Sequence, residues 1–288
     1  MVMSQSYFHF ETELGTSCAQ KDTANQRGEQ IPGSQHDCQV KECLSKQHPE
    51  FILNRIACCN THIRVVTRNA CRGAGSTKEN HMKVVLYGAT GNSGQRILKE
   101  LTTRGHQVTA VARDTSKIPS TVKAVKDDLS SVAAIASTIG GADVVVSAYA
   151  PPQDNTDALT SVTEREIAAV KKAGHARLIV VGGAGLLEVA PSVTLIASGY
   201  LPEAYLPIAK SHEKALGVLK ASDINWTYFS PAGYFEPGER TGKFRLGTTN
   251  LIANEKGDSR ISFEDYAVAL VDEIETPKHE RGQLSIGY

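Results

Sequence analysis

Three glycines spaced three residues apart, Gly88, Gly91 and Gly94, separate an apolar run at residues 84–87 from an amphipathic segment at residues 95–104. The first glycine permits a tight turn off a strand, and the second lets backbone amides approach a pyrophosphate without a Cβ in the way. The third allows the following helix to pack closely on the sheet. Because a helix N-terminus presents N–H groups and a positive dipole end, this spacing predicts the phosphate-binding turn of a dinucleotide site. We expect the turn to consist of Gly88, Ala89, Thr90, Gly91, Asn92, Ser93 and Gly94.

The residues after the second predicted strand bear on which dinucleotide binds. NAD sites usually place Asp or Glu about 20 residues after the glycine turn, where the carboxylate holds the ribose hydroxyls. This chain has Arg113 there, followed by Asp114. A guanidinium at this position can clamp a 2′-phosphate with charge-assisted, bidentate bonds, so the sequence favours NADP(H) over NAD(H). Two alternatives stay open: Arg113 is a solvated surface arginine, or Asp114 reaches a ribose hydroxyl.

Further cofactor-binding candidates follow the other predicted strands, because ligands of doubly wound sheets lie at the carboxyl ends of the strands. Each strand end is expected to contact a different part of the dinucleotide. The candidates are Asp128 and Leu129 at the adenine edge, Ser147, Ala148 and Tyr149 beneath the nicotinamide ribose, Gly183 facing the nicotinamide, and Pro231 and Ala232 near its carboxamide.

An alternation of strand and helix patterns that begins at Met82 positions these residues. Its spacing predicts right-handed βαβ units, and hence a single Rossmann-like, doubly wound α/β domain with a mostly parallel sheet over residues 82–288. Ser262 is predicted to open the last helix with a capping box. Strands are predicted at residues 84–87, 108–112, 143–147, 177–181 and 226–229, helices at 95–104, 133–139, 160–173, 210–220 and 263–274, and a final edge strand at 284–288.

Residues 1–81 differ in composition from the rest of the chain. They contain all six cysteines, and stretches rich in Ser, Thr, Gln, Asn and Gly cannot bury enough apolar surface to fold alone. We therefore expect a mostly disordered N-terminal extension. Its start lacks the basic and apolar regions of a signal peptide, and no cysteine pair has zinc-binding spacing, so we expect no metal site.

Composition limits the range of partners. The 288 residues carry equal numbers of acidic and basic side chains, so no global field attracts nucleic acid or an anionic membrane. No apolar run approaches the roughly 18 residues of a membrane-spanning helix. We expect a cytoplasmic protein that is a monomer or a homodimer and acts on a small molecule.

Three motifs carry a resemblance to a known family: residues 82–94 around the glycine turn, Val-Ala-Arg-Asp at 111–114 and Val-Gly-Gly-Ala-Gly at 181–185. They resemble the atypical short-chain dehydrogenases/reductases. Within that group the chain is similar to the NmrA-like NAD(P)-binding proteins, above all the NADH-flavin reductases and biliverdin-IXβ (flavin) reductase, and residues 230–245 resemble the bacterial flavin-reductase-like branch. The resemblance implies NADP(H) binding and hydride transfer to flavins, quinones or other planar acceptors. It also permits an NADP(H)-binding redox sensor without turnover.

One departure from the wider family concerns catalysis. Typical short-chain dehydrogenases use a Tyr-x-x-x-Lys pair on one helix face. Here Leu206 lies four residues before Lys210, and Tyr205 lies five before it. Tyrosine-driven carbonyl reduction is therefore not expected, whereas flavin reduction mainly requires that two rings be oriented. The catalytic candidates are His212, as a proton donor or else a surface histidine, and Lys210, which is also expected to bind the nicotinamide ribose or a phosphate. The resemblance further indicates that Gly183 replaces a serine of the biliverdin and flavin reductase.

Two other segments have alternative interpretations. The connection over residues 185–207, with Tyr200 and Tyr205, is either a substrate lid or a place where two aromatic side chains pack. Arg240, Lys243 and Arg245 either bind an anionic acceptor or belong to a solvated basic hairpin.

Overall fold

The computed structural model of the protein describes residues 81–174 and 176–288. Apart from His81, the extension predicted over residues 1–81 lies outside the described residues. The helices are α1 (Asn92–Thr103), α2 (Val132–Ile139), α3 (Ala158–Ala173), α4 (Leu206–Ala221) and α5 (Phe263–Glu275). The strands are β1 (Lys83–Tyr87), β2 (Gln107–Ala112), β3 (Lys123–Lys126), β4 (Val144–Ser147), β5 (Arg177–Val181), β6 (Glu188–Ala190), β7 (Val193–Thr194), β8 (Trp226–Ser230), β9 (Tyr234–Glu236), β10 (Arg245–Gly247), β11 (Arg260–Ser262) and β12 (Gly282–Gly287).

In the described part of the chain, eight of these strands form one sheet in the order β10-β12-β8-β5-β4-β1-β2-β3. Every neighbouring pair is parallel except β10 and β12. The central strands are runs of aliphatic residues buried on both faces, because helices cover both sides of the sheet. Helices α1 and α5 pack on one face, and α2, α3 and α4 pack on the other. The predicted doubly wound α/β fold is confirmed.

The predicted elements differ from the observed ones mainly at their ends. Helix α4 begins at Leu206 rather than at Lys210, and Pro207 lies in its first turn, where a proline without an N–H is tolerated. The short pairs β6–β7 and β9–β11 lack the repeated alternation from which strands are predicted. No helix among the described residues has both the length and the apolar character needed to cross a membrane.

The edge position predicted for the last strand is wrong. β12 lies between β8 and β10, and the three-residue β10 forms the edge of the sheet. The Arg245 side chain donates hydrogen bonds to the backbone carbonyls of Ala253 and Tyr288, which hold β10 against the chain end. A strand as short as β10 has no hydrophobic period in the sequence. Without it, β12 is predicted to lie at the edge of the sheet.

The N-terminus of α5 is capped by Ser262, as predicted. Its Oγ accepts a hydrogen bond from the Asp265 N–H at 2.9 Å and donates one to the Glu239 carbonyl at 2.9 Å. The Asp265 carboxylate does not complete a capping box. It accepts hydrogen bonds from the hydroxyls of Thr241 at 2.5 Å and Tyr288 at 2.9 Å, and so fastens the segment before β10 to the chain end.

We expect Ser262→Ala to lower the free energy of unfolding by about 1–2 kcal/mol, the usual effect of removing an N-cap side chain. Ser131→Ala is a matched control, because Ser131 caps α2 through a longer, exposed bond of 3.4 Å to Ala134 N. It should cause a smaller loss. Guanidinium unfolding followed by circular dichroism measures both, and equal losses would contradict the assignment of Ser262 as the stronger cap.

Candidate active site

A cleft of about 360 Å³ opens at the carboxyl ends of β1, β2, β3 and β4. It is bounded by the glycine turn and by the segments that follow the other three strands. Ligands of doubly wound sheets bind at this edge, and the volume is within the range of small-molecule sites. The predicted cofactor residues that line it are Gly88, Thr90, Gly91, Arg113, Asp128, Leu129, Ala148 and Tyr149.

A larger cleft, of about 520 Å³, opens at the opposite edge of the sheet, where Lys83, Gln107 and Gly141 lie at the amino-terminal ends of the strands. It does not adjoin the glycine turn or any predicted site residue. The smaller cleft is therefore the candidate cofactor site, despite its size.

The steric roles predicted for two of the glycines agree with the geometry of the turn. Gly88 has φ +73°, and a Cβ at this residue would lie 2.3 Å from the Ala148 carbonyl oxygen. A Cβ at Gly94 would lie 2.1 Å from the Gly88 carbonyl oxygen. Any side chain at either position would therefore separate α1 from β1 or displace the segment after β4.

The start of α1 fits a phosphate group. Gly91 precedes the helix in an extended conformation without a side-chain cap. The first amides of the helix, at Asn92 and Ser93, have no intrahelical acceptor, as in every α-helix, and they lie beside the cleft. Gln95 steadies the turn by donating from Nε2 to the Thr90 carbonyl at 2.8 Å. The turn thus offers N–H donors and a positive dipole end to an anion.

Arg113 is exposed at the wall of the cleft. No hydrogen bond or ion pair to the described residues engages its guanidinium group. The adjacent Asp114 carboxylate accepts a hydrogen bond from the Ser116 N–H at 3.0 Å, which lowers the pKa of Asp114. One Asp114 oxygen is thus used to form the local turn, while the Arg113 guanidinium makes no such bond within the described residues.

One wall of the cleft is formed by Leu129, the predicted adenine contact, whose backbone has the unusual φ of +62°. Its N–H donates to the Asp127 carboxylate at 2.7 Å, and its carbonyl accepts from Arg165 Nε at 2.6 Å. The neighbouring Asp128 carboxylate accepts from the Ser130 N–H at 3.0 Å. Hydrogen bonds within the protein therefore hold Asp128 and Leu129 in place at this wall.

Ser147 is buried at the end of β4, and its side chain points towards α3 rather than into the cleft. Beside it lies Glu166, which is 1% exposed, and burial raises the pKa of Glu166 to about 7. The Ser147 hydroxyl is near enough to oppose this shift, but the Glu166 oxygens make no well-formed hydrogen bond within the described residues. The residues after β4 that line the cleft are Ala148 and Tyr149, not Ser147.

His212 packs against Gly183 at the end of β5, so the alternative of a surface histidine is wrong. A Cβ at Gly183 would lie 3.0 Å from His212 Cδ2. His212 Nδ1 is 2.8 Å from Tyr228 Oη on β8, and Gly183 N–H donates to the same oxygen at 3.3 Å. The end of β5, strand β8 and helix α4 thus place an imidazole next to a residue that has no side chain.

Tyr228 is the hydrogen-bond partner of His212. Its Oη accepts a bond from Gly183 N–H and lies 2.8 Å from His212 Nδ1, and in the tautomer in which the Tyr228 hydroxyl donates to Nδ1 the ring proton lies on Nε2. Although part of the ring is accessible, burial lowers the pKa of His212 to about 4. His212 is therefore neutral at neutral pH, and its Nε2 has no hydrogen-bond partner within the described residues.

The structure does not bring Lys210 to His212. Lys210 is exposed, forms no hydrogen bond with the described residues, and lies two positions from His212, on another side of α4. Pro231 and Ala232 are buried directly after β8, next to the strand that carries Tyr228. In the described chain no three His, Cys, Asp or Glu side chains are grouped so as to hold a metal ion.

The two segments with alternative interpretations are both ordered. Tyr200 and Tyr205 are 51% and 39% exposed, so neither ring is buried in the core. Arg240 is bound to Glu100 of α1 through two hydrogen bonds of 2.8 and 2.9 Å, and Arg245 to backbone carbonyls. Arg240, Lys243 and Arg245 are all exposed, which agrees with the solvated basic segment, and the two arginines are also held by these bonds.

Sequence reasoning missed Tyr228 and Arg165. Tyr228 alternates with Trp226 in a buried strand, which is typical of core residues. The only trace in the sequence is the glycine at position 182. The structure explains it, since a Cβ there would come within 2.5 Å of the Tyr228 ring. Arg165 lies 36 residues from Leu129 along the chain, and no local pattern predicts their contact.

Comparison with known proteins agrees with this geometry. A family model described as NAD(P)H-binding matches residues 88–277. The chain is 40% identical over 212 residues to the uncharacterized protein YwnB of Bacillus subtilis (strain 168), which covers 71% of this chain and 98% of that protein. A solved Burkholderia pseudomallei structure, described provisionally as an exported protein, is 45% identical with a TM-score of 0.67, covering 72% of this chain and 100% of that one.

A second solved structure is that of a Streptococcus pneumoniae TIGR4 protein described provisionally as an NADH-flavin reductase. It is 34% identical, with a TM-score of 0.67, and covers 72% of this chain and 99% of that one. The family match spans more than half of the chain and begins at Gly88, the first glycine of the turn. The chain therefore belongs to the NAD(P)H-binding family, within the NmrA-like atypical short-chain dehydrogenases/reductases, and has the fold of an NAD(P)H-binding oxidoreductase.

Proposed function

We propose that this protein is an NADPH-dependent oxidoreductase that transfers hydride to a flavin, a quinone or a similar planar acceptor. The observation that carries the proposal is the position of His212, which packs against Gly183 and is hydrogen-bonded to Tyr228, in a chain without a Tyr-x-x-x-Lys pair. The Streptococcus pneumoniae relative described provisionally as an NADH-flavin reductase supports the same acceptor class.

In this proposal the planar acceptor binds beside His212. The absence of a side chain at Gly183 lets the imidazole pack against the end of β5, since a Cβ there would lie 3.0 Å from His212 Cδ2. Reduced nicotinamide, when bound, supplies a hydride, and an acceptor that gains a hydride develops negative charge on its oxygen or nitrogen atoms. His212 Nε2–H can donate a hydrogen bond to that charge, and Tyr228 keeps the ring in the required tautomer.

This role differs from the expectation that His212 transfers a proton. A histidine whose pKa is about 4 carries no extra proton at neutral pH, so the proton that completes the reduction comes from water. His212 then acts by donating a hydrogen bond, and Tyr228 is a positioning residue.

We expect the full chain to oxidise NADPH when FMN, FAD or a quinone is supplied, and to do so faster than with aliphatic aldehydes or ketones. Absorbance at 340 nm measures the rate, and calorimetry measures cofactor binding separately. Tight NADPH binding with no turnover of any acceptor would contradict the enzyme and favour a redox sensor.

We expect Arg113→Glu to weaken NADPH binding by about 10- to 100-fold, because charge-assisted bonds to the 2′-phosphate are replaced by repulsion. NADH lacks that phosphate, so its dissociation constant should change by less than about threefold. Lys99→Glu makes the same change of charge at an exposed position on α1, away from the cleft, and should leave both cofactors unaffected. Equal losses for NADPH and NADH would rule out Arg113 as a 2′-phosphate ligand.

We expect His212→Ala to lower kcat by roughly 100-fold, as happens when a donor to developing charge is removed. His212→Gln retains an N–H and should be less impaired, and Tyr228→Phe should fall between wild type and His212→Ala. Stopped-flow hydride transfer with saturating NADPH measures all three.

Because His212 is neutral above a pKa of about 4, the wild-type rate of hydride transfer should not depend on His212 titration between about pH 5.5 and 8. Glu166→Gln is the control, since the Glu166 carboxyl has a pKa of about 7, within the same range. A rate that falls on the alkaline side of pH 6.5 in both proteins would show that His212 acts as a proton donor.

A further inference from the structure

Leu129 has a backbone conformation that its side chain does not favour. Its φ of +62° lies in the left-handed region, which residues other than Gly, Asn and Asp rarely adopt. The side chain is 5% exposed and packs among buried residues that include Tyr87 and Val111. Such a conformation persists only where the surroundings determine it, and it is found preferentially at functional sites.

Two side chains determine the conformation of Leu129. The first is local: Asp127, two residues earlier, accepts the Leu129 N–H at 2.7 Å. The second comes from a different element, because Arg165 of α3 donates from Nε to the Leu129 carbonyl at 2.6 Å. Within the described residues, the Arg165 side chain makes no other hydrogen bond.

Arg165 is anchored independently of the cleft wall that it holds. The helix that carries it is fixed by buried neighbours on both sides of Arg165 in the sequence, among them Val162 and Ile167. Arg165 also lies close enough to Asp128 to help lower the pKa of that carboxyl. The guanidinium group therefore contacts the segment of Asp128 and Leu129, and its hydrogen bond goes to the carbonyl of the peptide that follows Leu129.

The location of this wall indicates what the bond is for. Leu129 and Asp128 line the same cleft as Arg113, on the side where the adenosine half of a dinucleotide would bind. The Arg165 bond fixes the peptide plane after Leu129, and with it the direction in which Asp128 and Leu129 face the cleft. When these residues are already ordered in the free protein, binding does not have to offset the entropy lost in ordering them, so the affinity is higher.

We propose that Arg165 is a positioning residue for the adenosine half of the cofactor: it holds Leu129 in the left-handed conformation and so keeps the adenine wall formed in the free protein. The proposal rests on the proposed function insofar as the ligand is a dinucleotide. It assigns to α3 a part in cofactor affinity that is separate from the hydride-transfer end of the site.

The test compares ligands that contain and lack adenosine. In the full chain, Arg165→Ala should weaken both NADPH and adenosine 2′,5′-bisphosphate by about tenfold or more in calorimetry, since a charge-assisted bond that orders the wall is lost. The dissociation constant of reduced nicotinamide mononucleotide, which has no adenosine, should change by less than about twofold. Arg165→Lys keeps the charge and one donor, and should recover part of the loss.

Lys172→Ala removes a positive charge from an exposed position of the same helix and serves as the matched control, with no expected change for any of the three ligands. Unchanged adenosine 2′,5′-bisphosphate binding in Arg165→Ala would overturn the proposal. An equal loss for the mononucleotide would also overturn it, because it would indicate a general structural defect. Failure of the proposed function is distinguishable, since it appears in wild type as binding without turnover and leaves the Arg165 comparison intact.

Discussion

The approach of α1 to the turn after β1 is the constraint on which the cofactor site depends. The Gly94 Cα lies so close to the Gly88 carbonyl that a single added carbon would come within 2.1 Å of it. A carbon added to the Gly88 Cα would lie 2.3 Å from the Ala148 carbonyl oxygen. Because both contacts exclude a side chain, the end of β1, the start of α1 and the segment after β4 meet at one point. The cleft opens where these three segments meet.

Helix α3 connects the two halves of the candidate site. Arg165 contacts the Leu129 carbonyl at the wall of the cleft, and Glu166 lies next to Ser147 at the end of β4. At the N-terminal end of α3, Asp157 accepts hydrogen bonds from Ser211 and Lys214 of α4, the helix that carries His212. A single helix therefore contacts both the cleft wall at Leu129 and the helix that carries the imidazole. The geometry of the site is determined by this helix as much as by the loops that line the cleft.

The parts of the structure that could be predicted from sequence are those encoded over short stretches. The glycine turn, the buried strands and the start of α5 at Ser262 each depend on neighbours within about one helical turn or one strand. The contacts of Tyr228 with His212 and of Arg165 with Leu129 join different elements and leave no periodic trace. β10 was missed for a related reason, since three residues that pair with the chain end have no pattern of their own. The direction of the Ser147 side chain could not be predicted either, because it depends on which helix packs on that face of β4.

Glu166 and His212 have opposite effects on the proton balance of folding. Glu166 has a pKa of about 7 in the folded chain against 4.5 unfolded, so its contribution to stability is fully present below pH 4.5 and is lost as pH rises to about 7. His212 falls from 6.5 unfolded to about 4 folded, so its contribution is fully present above pH 6.5 and is lost as pH falls to about 4. Between these limits folding removes a proton from the histidine and adds one to the glutamate. The net proton uptake of the pair is then close to zero, so these two groups together leave the stability of the domain nearly independent of pH in the mildly acidic range.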